Sequence, residues 1–145
     1  MSIIEKPDDQ LGFLLMQVLL LKQRFTNSVL RIYDITYIQF VILAGILELG
    51  ESGKLVTQQT ISLERLLDKA MVSNVVKTLI AKNLITRDTH PSDNRAYTLG
   101  LTAEGQKLVV KCKTEAKKID KMFFSSIDED HFRETLKTLQ TNNTN

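Results

Sequence analysis

The spacing of hydrophobic residues predicts a mainly helical chain that contains one short β-hairpin. Residues 8–33 form one long helical pattern, in which Leu11, Leu14, Leu15 and Val18 follow the three- and four-residue spacing of a helix face. Further apolar residues occupy its other faces, and such a helix has to be buried on most sides. Because a chain of 145 residues has little left to cover it, we expect this helix to pack against a second copy.

Two short helices follow, joined by a tight connection. After a helical pattern over residues 36–49, Thr57 is suited to cap a short helix that ends near Leu66, and Asp68 to cap a helix that runs to about Lys82. The side-chain oxygen of a cap accepts a hydrogen bond from a free backbone N–H of the first turn. Two helices separated in this way predict a helix-turn-helix unit.

The hydrophobic period changes from helical to alternating after Asn83. Residues 84–88 and 96–101 predict two short strands, and the turn-rich segment 90–94 predicts the loop between them. Thr102 is then suited to cap another helix. A β-hairpin is therefore expected directly after the helix-turn-helix unit.

Two helices and a polar tail complete the predicted chain. The first helix is expected from about Ala103 to Ser125, the second begins at Asp128, and residues 141–145 predict a disordered tail. Only two prolines and six glycines occur, which also favours helix over an all-β fold.

The composition limits the cellular setting. The single cysteine, Cys112, excludes an intrachain disulfide and a cysteine-rich zinc site, and it is typical of the reducing cytoplasm. Asp8 and Asp9, which precede the apolar run, argue against a secretory signal peptide, and Leu11–Leu21 is too short to cross a bilayer. We therefore expect a cytoplasmic globular protein.

The distribution of charge says more than its total. The net charge is only +2, but residues 69–95 hold five basic residues against Asp88 and Asp93. A locally basic segment in a near-neutral chain is a weak indication of a nucleic-acid partner.

The helix after Asp68 has the polar, mostly small outer face that a recognition helix needs in order to reach base edges in the major groove. Its outward residues are Lys69, Ala70, Ser73, Asn74, Lys77 and Thr78. Ser73 and Asn74 can hydrogen-bond base edges, Ala70 can touch a thymine methyl group, and the two lysines can reach phosphates or guanine. A polar face alone is more often a solvated surface. The two-helix context and the basic hairpin favour DNA binding.

The hairpin supplies the second set of candidate contacts: Arg87, Asp93, Asn94 and Arg95. Arg95, near the tip, can enter a narrow minor groove, where negative potential is concentrated. Asp93 can orient the Arg95 guanidinium through a bidentate pair. Arg87 can reach a backbone phosphate or face solvent. The alternative is a surface turn whose ion pair contributes little.

These motifs together resemble the MarR-type (multiple antibiotic resistance regulator) winged-helix transcription factors. Residues 68–79 resemble the recognition helix of that family, and Leu-Ile-Thr-Arg at residues 84–87 resembles its first wing strand. Asp-Asn-Arg at 93–95, followed by Leu-Thr-Ala-Glu-Gly at 101–105, matches the wing signature of the family. The resemblance covers residues 36–110 closely and the flanking helices in outline.

The resemblance implies a mainly α fold with a small β-wing, that is, a winged helix-turn-helix with N- and C-terminal dimerisation helices. The expected parts are an N-terminal dimerisation helix (1–35), a DNA-binding lobe (36–101), and C-terminal dimerisation helices with the polar tail (102–145). It further implies a homodimer, more often a repressor than an activator, on a pseudo-palindromic operator in a bacterial or archaeal nucleoid. Half-sites would lie roughly 10 bp apart, with residues 69–82 in each major groove.

The chain departs from the family pattern at two positions. Asn74 stands where many members have arginine, which leaves the base preference open. Asn83 stands where glycine is usual, but asparagine tolerates the left-handed conformation of a helix C-terminus, so we expect the turn to be retained.

The family also implies an effector site and, in some members, a redox-sensing cysteine. Many members release DNA when a small phenolic or lipophilic ligand enters a cleft between the dimer helices and the DNA-binding lobe. The candidates here are Arg24, Tyr33, Tyr37 and Phe40, although each aromatic residue alone is more typical of a core. Cys112 is more typical of a structural residue, but its neighbours Lys111 and Lys113 could lower its pKa.

Two other functions compete with DNA-binding regulation. A winged helix can serve as a protein-docking module without DNA binding, because a fold does not fix a function. The basic cluster argues against this alternative. An enzyme is disfavoured, because the only histidines, His90 and His131, lie on different predicted elements and no phosphate loop, zinc spacing or nucleophile motif occurs. No cofactor or metal is expected.

Overall fold

The computed structural model describes residues 10–144 and contains six helices and one β-hairpin within that range. In chain order these are α1 (Leu11–Leu30), α2 (Tyr37–Glu51), α3 (Gln58–Arg65), α4 (Lys69–Ala81), β1 (Ile85–Thr89), β2 (Tyr97–Leu101), α5 (Ala103–Phe123) and α6 (Glu129–Asn143). A short 3₁₀ turn, Arg31–Tyr33, joins α1 to the loop before α2. The predicted mainly α fold with a small β-wing is confirmed.

The predicted helix starts of the helix-turn-helix unit are also confirmed. The hydroxyl oxygen of Thr57 accepts a hydrogen bond from the backbone N–H of Thr60 at 3.1 Å, and a carboxylate oxygen of Asp68 accepts one from Met71 at 3.1 Å. Each cap satisfies a backbone donor that has no partner inside the helix, so each helix begins at a defined residue.

Two predicted boundaries were wrong. The predicted helix 8–33 is regular only to Leu30, and its positions 8 and 9 lie outside the described residues. The predicted tail at 141–145 is helical through Asn143. The side-chain amide of Asn143 donates to the carbonyl of Leu139 at 2.9 Å, so a polar side chain adds a hydrogen bond to the last turn of the helix.

Helix α2 passes through the centre of the molecule, and the other elements of the lobe pack around it. Ile42 and Leu43 on α2 have no exposed surface, and they belong to one core with residues from α1, α3, α4, the hairpin and α5. The hairpin is antiparallel, and Leu99 on β2 donates its backbone N–H to Val56, just before α3, at 2.7 Å. The wing is thereby tied to the start of the helix-turn-helix.

Helices α1 and α6 are covered much less than the lobe. Only Thr26 and Leu30 of α1 are buried, and α6 buries no residue. The large apolar side chains that these two helices expose are Leu11, Leu14, Leu15, Met16, Val18, Leu19, Leu20, Leu21, Leu136 and Leu139.

Within residues 10–144, no single helix is long and apolar enough to cross a membrane. The segments Leu11–Tyr33 and Tyr37–Glu51 reach such a composition only as a pair, and they bend by 75° at the break between them.

Candidate nucleic-acid interface

A left-handed turn sets the angle between α3 and α4. Leu66 ends α3 with φ of 54° and ψ of 42°, a backbone conformation that residues other than glycine rarely adopt. Ser62 holds the turn from both sides: its hydroxyl donates to the carbonyl of Leu67 at 2.6 Å, and its carbonyl accepts the backbone N–H of Leu67 at 3.0 Å. The recognition helix is therefore placed by local hydrogen bonds as well as by the core.

Helix α4 divides into an inner and an outer face. Val72, Val76 and Leu79 have no exposed surface and anchor the helix in the core. Of the six residues predicted to face outward, Lys69, Ala70, Asn74, Lys77 and Thr78 are exposed, and Ser73 is half-buried. A face with these donors and little bulk fits the space of a major groove. That these side chains contact DNA stays a prediction.

The basic side chains of α4 and the hairpin have no carboxylate partner in the described part of the chain. Among residues 10–144, no acidic oxygen lies within 4.0 Å of the basic nitrogens of Lys69, Lys77, Arg87 or Arg95. Lys54, in the loop before α3, is likewise free of such a contact. Unpaired cations on one surface are available to a polyanion without the cost of breaking an internal ion pair.

The wing tip differs in detail from the predicted pairing of Asp93 with Arg95. A carboxylate oxygen of Asp93 accepts the backbone N–H of Arg95 at 2.9 Å, and no contact with the guanidinium is formed. The predicted bidentate pair was wrong for this structure, because the short aspartate side chain closes a local turn on the backbone two residues ahead. Asp93, Asn94 and Arg95 are all exposed, and the Arg95 guanidinium is free to reach outward.

Arg87 on β1 lies over the ring of Tyr97 on β2, with 4.6 Å between the guanidinium carbon and the ring centre. Sequence reasoning placed Arg87 at the interface but gave Tyr97 no role. The register of the hairpin supplies the missing signal, because it pairs Arg87 with Leu99 and Thr89 with Tyr97 and so puts Arg87 and Tyr97 on the same face.

The junction between the wing and α5 is fixed by Thr102. Its hydroxyl donates to the carbonyl of Asn83 at 2.8 Å and accepts the backbone N–H of Gly105 at 2.9 Å. Asn83 has φ of 60°, so the predicted left-handed turn at this position is confirmed. A Cβ atom on Gly105 would lie 2.0 Å from the carbonyl oxygen of Leu84, which explains the glycine of the wing signature: only glycine allows α5 to approach the backbone so closely.

A charged cluster connects α3 and α5 through α2. Glu48 on α2 binds Arg65 of α3 at 2.5 Å and Lys113 of α5 at 3.2 Å. Partial burial alone would raise the pKa of Glu48, but the hydrogen bonds and charges of Arg65 and Lys113 outweigh it and lower the pKa below its ordinary value. Sequence reasoning missed this cluster, because its members lie far apart in the chain.

None of the four effector candidates lines the cavity that lies beside the corner between α1 and α2. Arg24 is exposed on α1, while Tyr33, Tyr37 and Phe40 are half-buried near the corner between α1 and α2. A cavity of about 390 Å³ beside this corner is lined by other residues: Asn27, Arg31, Asp34, Ile35, Thr36, Gln39 and Lys82.

The thiol of Cys112 is unsuited to redox sensing. It is fully buried, and burial, with a further contribution from Glu115, raises its pKa to about 11. The prediction that Lys111 and Lys113 could lower this pKa was wrong, because loss of solvent around the thiol dominates. The neutral thiol is the unreactive form at neutral pH.

A helix-turn-helix followed by a β-hairpin and flanked by longer helices defines a winged-helix DNA-binding protein. The family model described as "MarR family" matches residues 33–96. The chain is 35% identical over 120 residues to the uncharacterized HTH-type transcriptional regulator YdcH of Bacillus subtilis. The matched residues make up 83% of this chain and 82% of YdcH. The chain belongs to the MarR family, whose fold is that of transcription regulators.

Two solved structures illustrate the likeness of fold. The chain superimposes on MepR of S. aureus in its complex with DNA with a TM-score of 0.80 and 23% identity, covering 91% of this chain and 95% of that one. It superimposes on BpsR of Bordetella bronchiseptica, whose DNA binding is regulated by 6-hydroxynicotinic acid, with a TM-score of 0.85 and 20% identity, covering 98% and 99%.

Proposed function

We propose that this protein is a homodimeric transcription regulator, acting as a repressor, that binds a pseudo-palindromic duplex in the cytoplasm. Each subunit places α4 in a major groove and Arg95 of the wing in the neighbouring minor groove. Half-sites lie roughly one helical turn apart, because each dimer presents two copies of α4 related by a two-fold axis.

The observation that carries the proposal is the set of unpaired cations on α4 and the wing. Lys69, Lys77, Arg87 and Arg95 are exposed and have no carboxylate within 4.0 Å among the residues that the structure describes, whereas Lys82 of the same lobe contacts Asp34 at 3.4 Å. Neutralising phosphates releases condensed counterions, and this term supplies much of the affinity of DNA-binding proteins. Ser73 and Asn74 lie between the cations of α4 and supply the donors and acceptors for base edges.

The dimer follows from the uncovered apolar surface of α1 and α6. Leu15 and Leu19 on α1 are 58% and 55% exposed, and Leu139 on α6 is 51% exposed. Several large apolar side chains left exposed on one helix are characteristic of an interface. A second copy covers it and presents a second recognition helix at the same time.

The test is a mobility-shift titration with duplexes selected from a random-sequence pool. Affinity should fall steeply as salt rises, and Arg95→Ala or Lys77→Ala should lower the slope of log affinity against log salt by about two, since each dimer loses two cations that displace counterions from the duplex. Lys111→Ala, on the exposed side of α5, is the matched control and should leave the slope unchanged. Equal affinity for single strands, or no bound duplex in the pool, would contradict the proposal.

Release by a small phenolic or lipophilic effector forms the second part of the proposal. It is supported by the likeness to BpsR and by the half-buried Tyr33, Tyr37 and Phe40 near the corner where α1 meets the lobe, with Arg24 on α1 as the charged member. A thermal-shift screen of such compounds should raise the unfolding midpoint for a ligand of the folded dimer, and Tyr37→Ala should remove that shift. A ligand that raises the midpoint without weakening DNA binding would contradict release.

A further inference from the structure

We propose that Tyr97 is a positioning residue for DNA binding: its ring holds the guanidinium of Arg87 in the orientation that clamps a backbone phosphate of the duplex. The inference rests on the proposed DNA-binding function and deepens it, because it gives a role to a residue outside the basic set. Its structural basis is the stacked pair on the wing, in which the guanidinium carbon of Arg87 lies 4.6 Å from the centre of the Tyr97 ring.

The register of the hairpin brings these two side chains together. Arg87 pairs with Leu99, and Tyr97 pairs with Thr89, so Arg87 and Tyr97 occupy diagonal positions on one face of the hairpin. Along this face Leu99 is buried in the core, whereas Tyr97 is 49% exposed. The stacked pair therefore lies where the hairpin leaves the core and enters solvent.

The contact with the ring leaves donors of the guanidinium available. Arginine carries five N–H donors, so one ring beside the guanidinium, with its centre 4.6 Å from the guanidinium carbon, leaves N–H groups to bind a phosphate. Asp88 follows Arg87 on β1, but consecutive strand residues point to opposite faces, and no carboxylate within residues 10–144 lies within 4.0 Å of the Arg87 nitrogens. The planar fork matches two oxygens of a phosphodiester.

The ring lowers the entropic cost of making that contact. A long arginine side chain loses rotamer freedom when it binds, and a stacked one has already lost part of it. We therefore expect loss of the stack to weaken binding by the dimer about tenfold, because both subunits carry the pair.

The experiment is a double-mutant cycle on a duplex selected from a random pool for binding the wild-type dimer, with affinities measured at one fixed salt concentration. Tyr97→Leu should weaken binding about tenfold when Arg87 is present and less than about twofold in the Arg87→Ala background. Tyr97→Phe keeps the ring without the hydroxyl and should stay within about twofold of wild type. Arg87→Ala should lower the salt slope by about two, whereas Tyr97→Leu should leave it unchanged.

Three results would overturn the inference. Equal losses for Tyr97→Leu in both backgrounds would show that Tyr97 acts without Arg87. A loss for Tyr97→Phe as large as that for Tyr97→Leu would assign the effect to the hydroxyl. If Tyr97→Leu unfolds in urea at a lower concentration than wild type, Arg87→Lys replaces it as the test variant, since lysine keeps the charge without the planar guanidinium. Wild-type affinity of Arg87→Lys for the duplex would then contradict the role of the ring. Absence of any bound duplex contradicts the DNA-binding proposal itself.

Discussion

The lobe from α2 to β2 and the helices that flank it differ in how completely one chain covers their apolar side chains. In the lobe, Ile42, Leu43, Ile61 and Leu79 have no exposed surface. In α1, by contrast, Leu15 is 58% exposed, and α6 buries no residue at all. The core of the lobe is therefore covered within one chain, whereas the flanking helices carry apolar surface that the rest of residues 10–144 leaves exposed.

Helix α5 belongs to both regions, which explains how assembly and DNA binding can depend on each other. Its first turn abuts the backbone of Leu84 in the lobe through Gly105, and its last turns contact α1 through the ion pair of Lys22 with Asp120 at 2.9 Å. Between these ends, Cys112 is fully buried in the shared core. In the proposed dimer, a helix of this kind links the interface to the recognition helices.

The largest expected effect comes from placing charges on the uncovered face of α1. Leu15→Glu combined with Leu19→Glu should weaken dimerisation at least about 1,000-fold, which corresponds to about 4 kcal/mol, because burying two unpaired carboxylates from each subunit in an apolar interface is strongly unfavourable. Sedimentation equilibrium measures the dimer dissociation constant. The lobe should keep its helical circular dichroism, since these side chains contribute nothing to its core.

Leu55→Glu is the matched control for this prediction. Leu55 is 52% exposed, but it lies in the loop between α2 and α3, away from α1 and α6. It should leave the dimer dissociation constant within about twofold of wild type. An unchanged constant in the α1 variant, or an equal loss in the control, would show that α1 is not the interface.

Gly105→Ala tests the close packing of α5 against the wing. The new Cβ would lie 2.0 Å from the carbonyl oxygen of Leu84, so α5 has to move away from the wing. We expect a loss of about 3 kcal/mol in the free energy of unfolding, measured in urea. Gly50→Ala is the control, because Gly50 is helical and a Cβ added there would meet no atom within 4 Å; it should gain up to about 1 kcal/mol. Equal effects at both glycines would contradict the close approach.

Most of the lobe could be predicted from the sequence because its signals are local. Caps at Thr57, Asp68 and Thr102 mark helix starts through hydrogen bonds that span three residues. The turn at Asn83 follows from the tolerance of asparagine for positive φ. Hydrophobic period distinguished the hairpin from the helices on either side of it.

The remaining features depend on contacts between residues far apart in the chain or on competing local bonds. Glu48 meets Arg65 and Lys113 only after α2, α3 and α5 have packed together. Asp93 was expected to hold the Arg95 guanidinium, and the backbone N–H of Arg95 takes its carboxylate instead. In such cases a residue type indicates an interaction, but only the fold decides its partner.

Leu66→Gly should stabilise the turn between α3 and α4. Leu66 has φ of 54° and is 86% exposed, so its side chain adds backbone strain and no packing. Glycine adopts this conformation without that strain, and we expect a gain of about 1 kcal/mol in the free energy of unfolding in urea. Leu63→Gly is the matched control, since Leu63 is also exposed but helical, and it should lose about 1 kcal/mol. The same sign for both substitutions would contradict strain at Leu66.

The smallest expected effect concerns the pH dependence of the link through Glu48. Because the folded-state pKa of Glu48 is lowered, the link stabilises the fold fully above the ordinary value of 4.5 and loses this contribution as pH falls through the lowered pKa. The carboxylate is 42% exposed, so solvent screening limits the contribution to about 0.5 kcal/mol. The free energy of unfolding of Glu48→Gln, measured in urea, should therefore be lower than that of wild type at pH 7 and approach the wild-type value at acid pH. Glu51→Gln is the control, because Glu51 has no basic partner within 4.0 Å among residues 10–144, and it should not show this convergence. If the free energies of unfolding of Glu48→Gln and wild type differ by the same amount at every pH, the link is excluded.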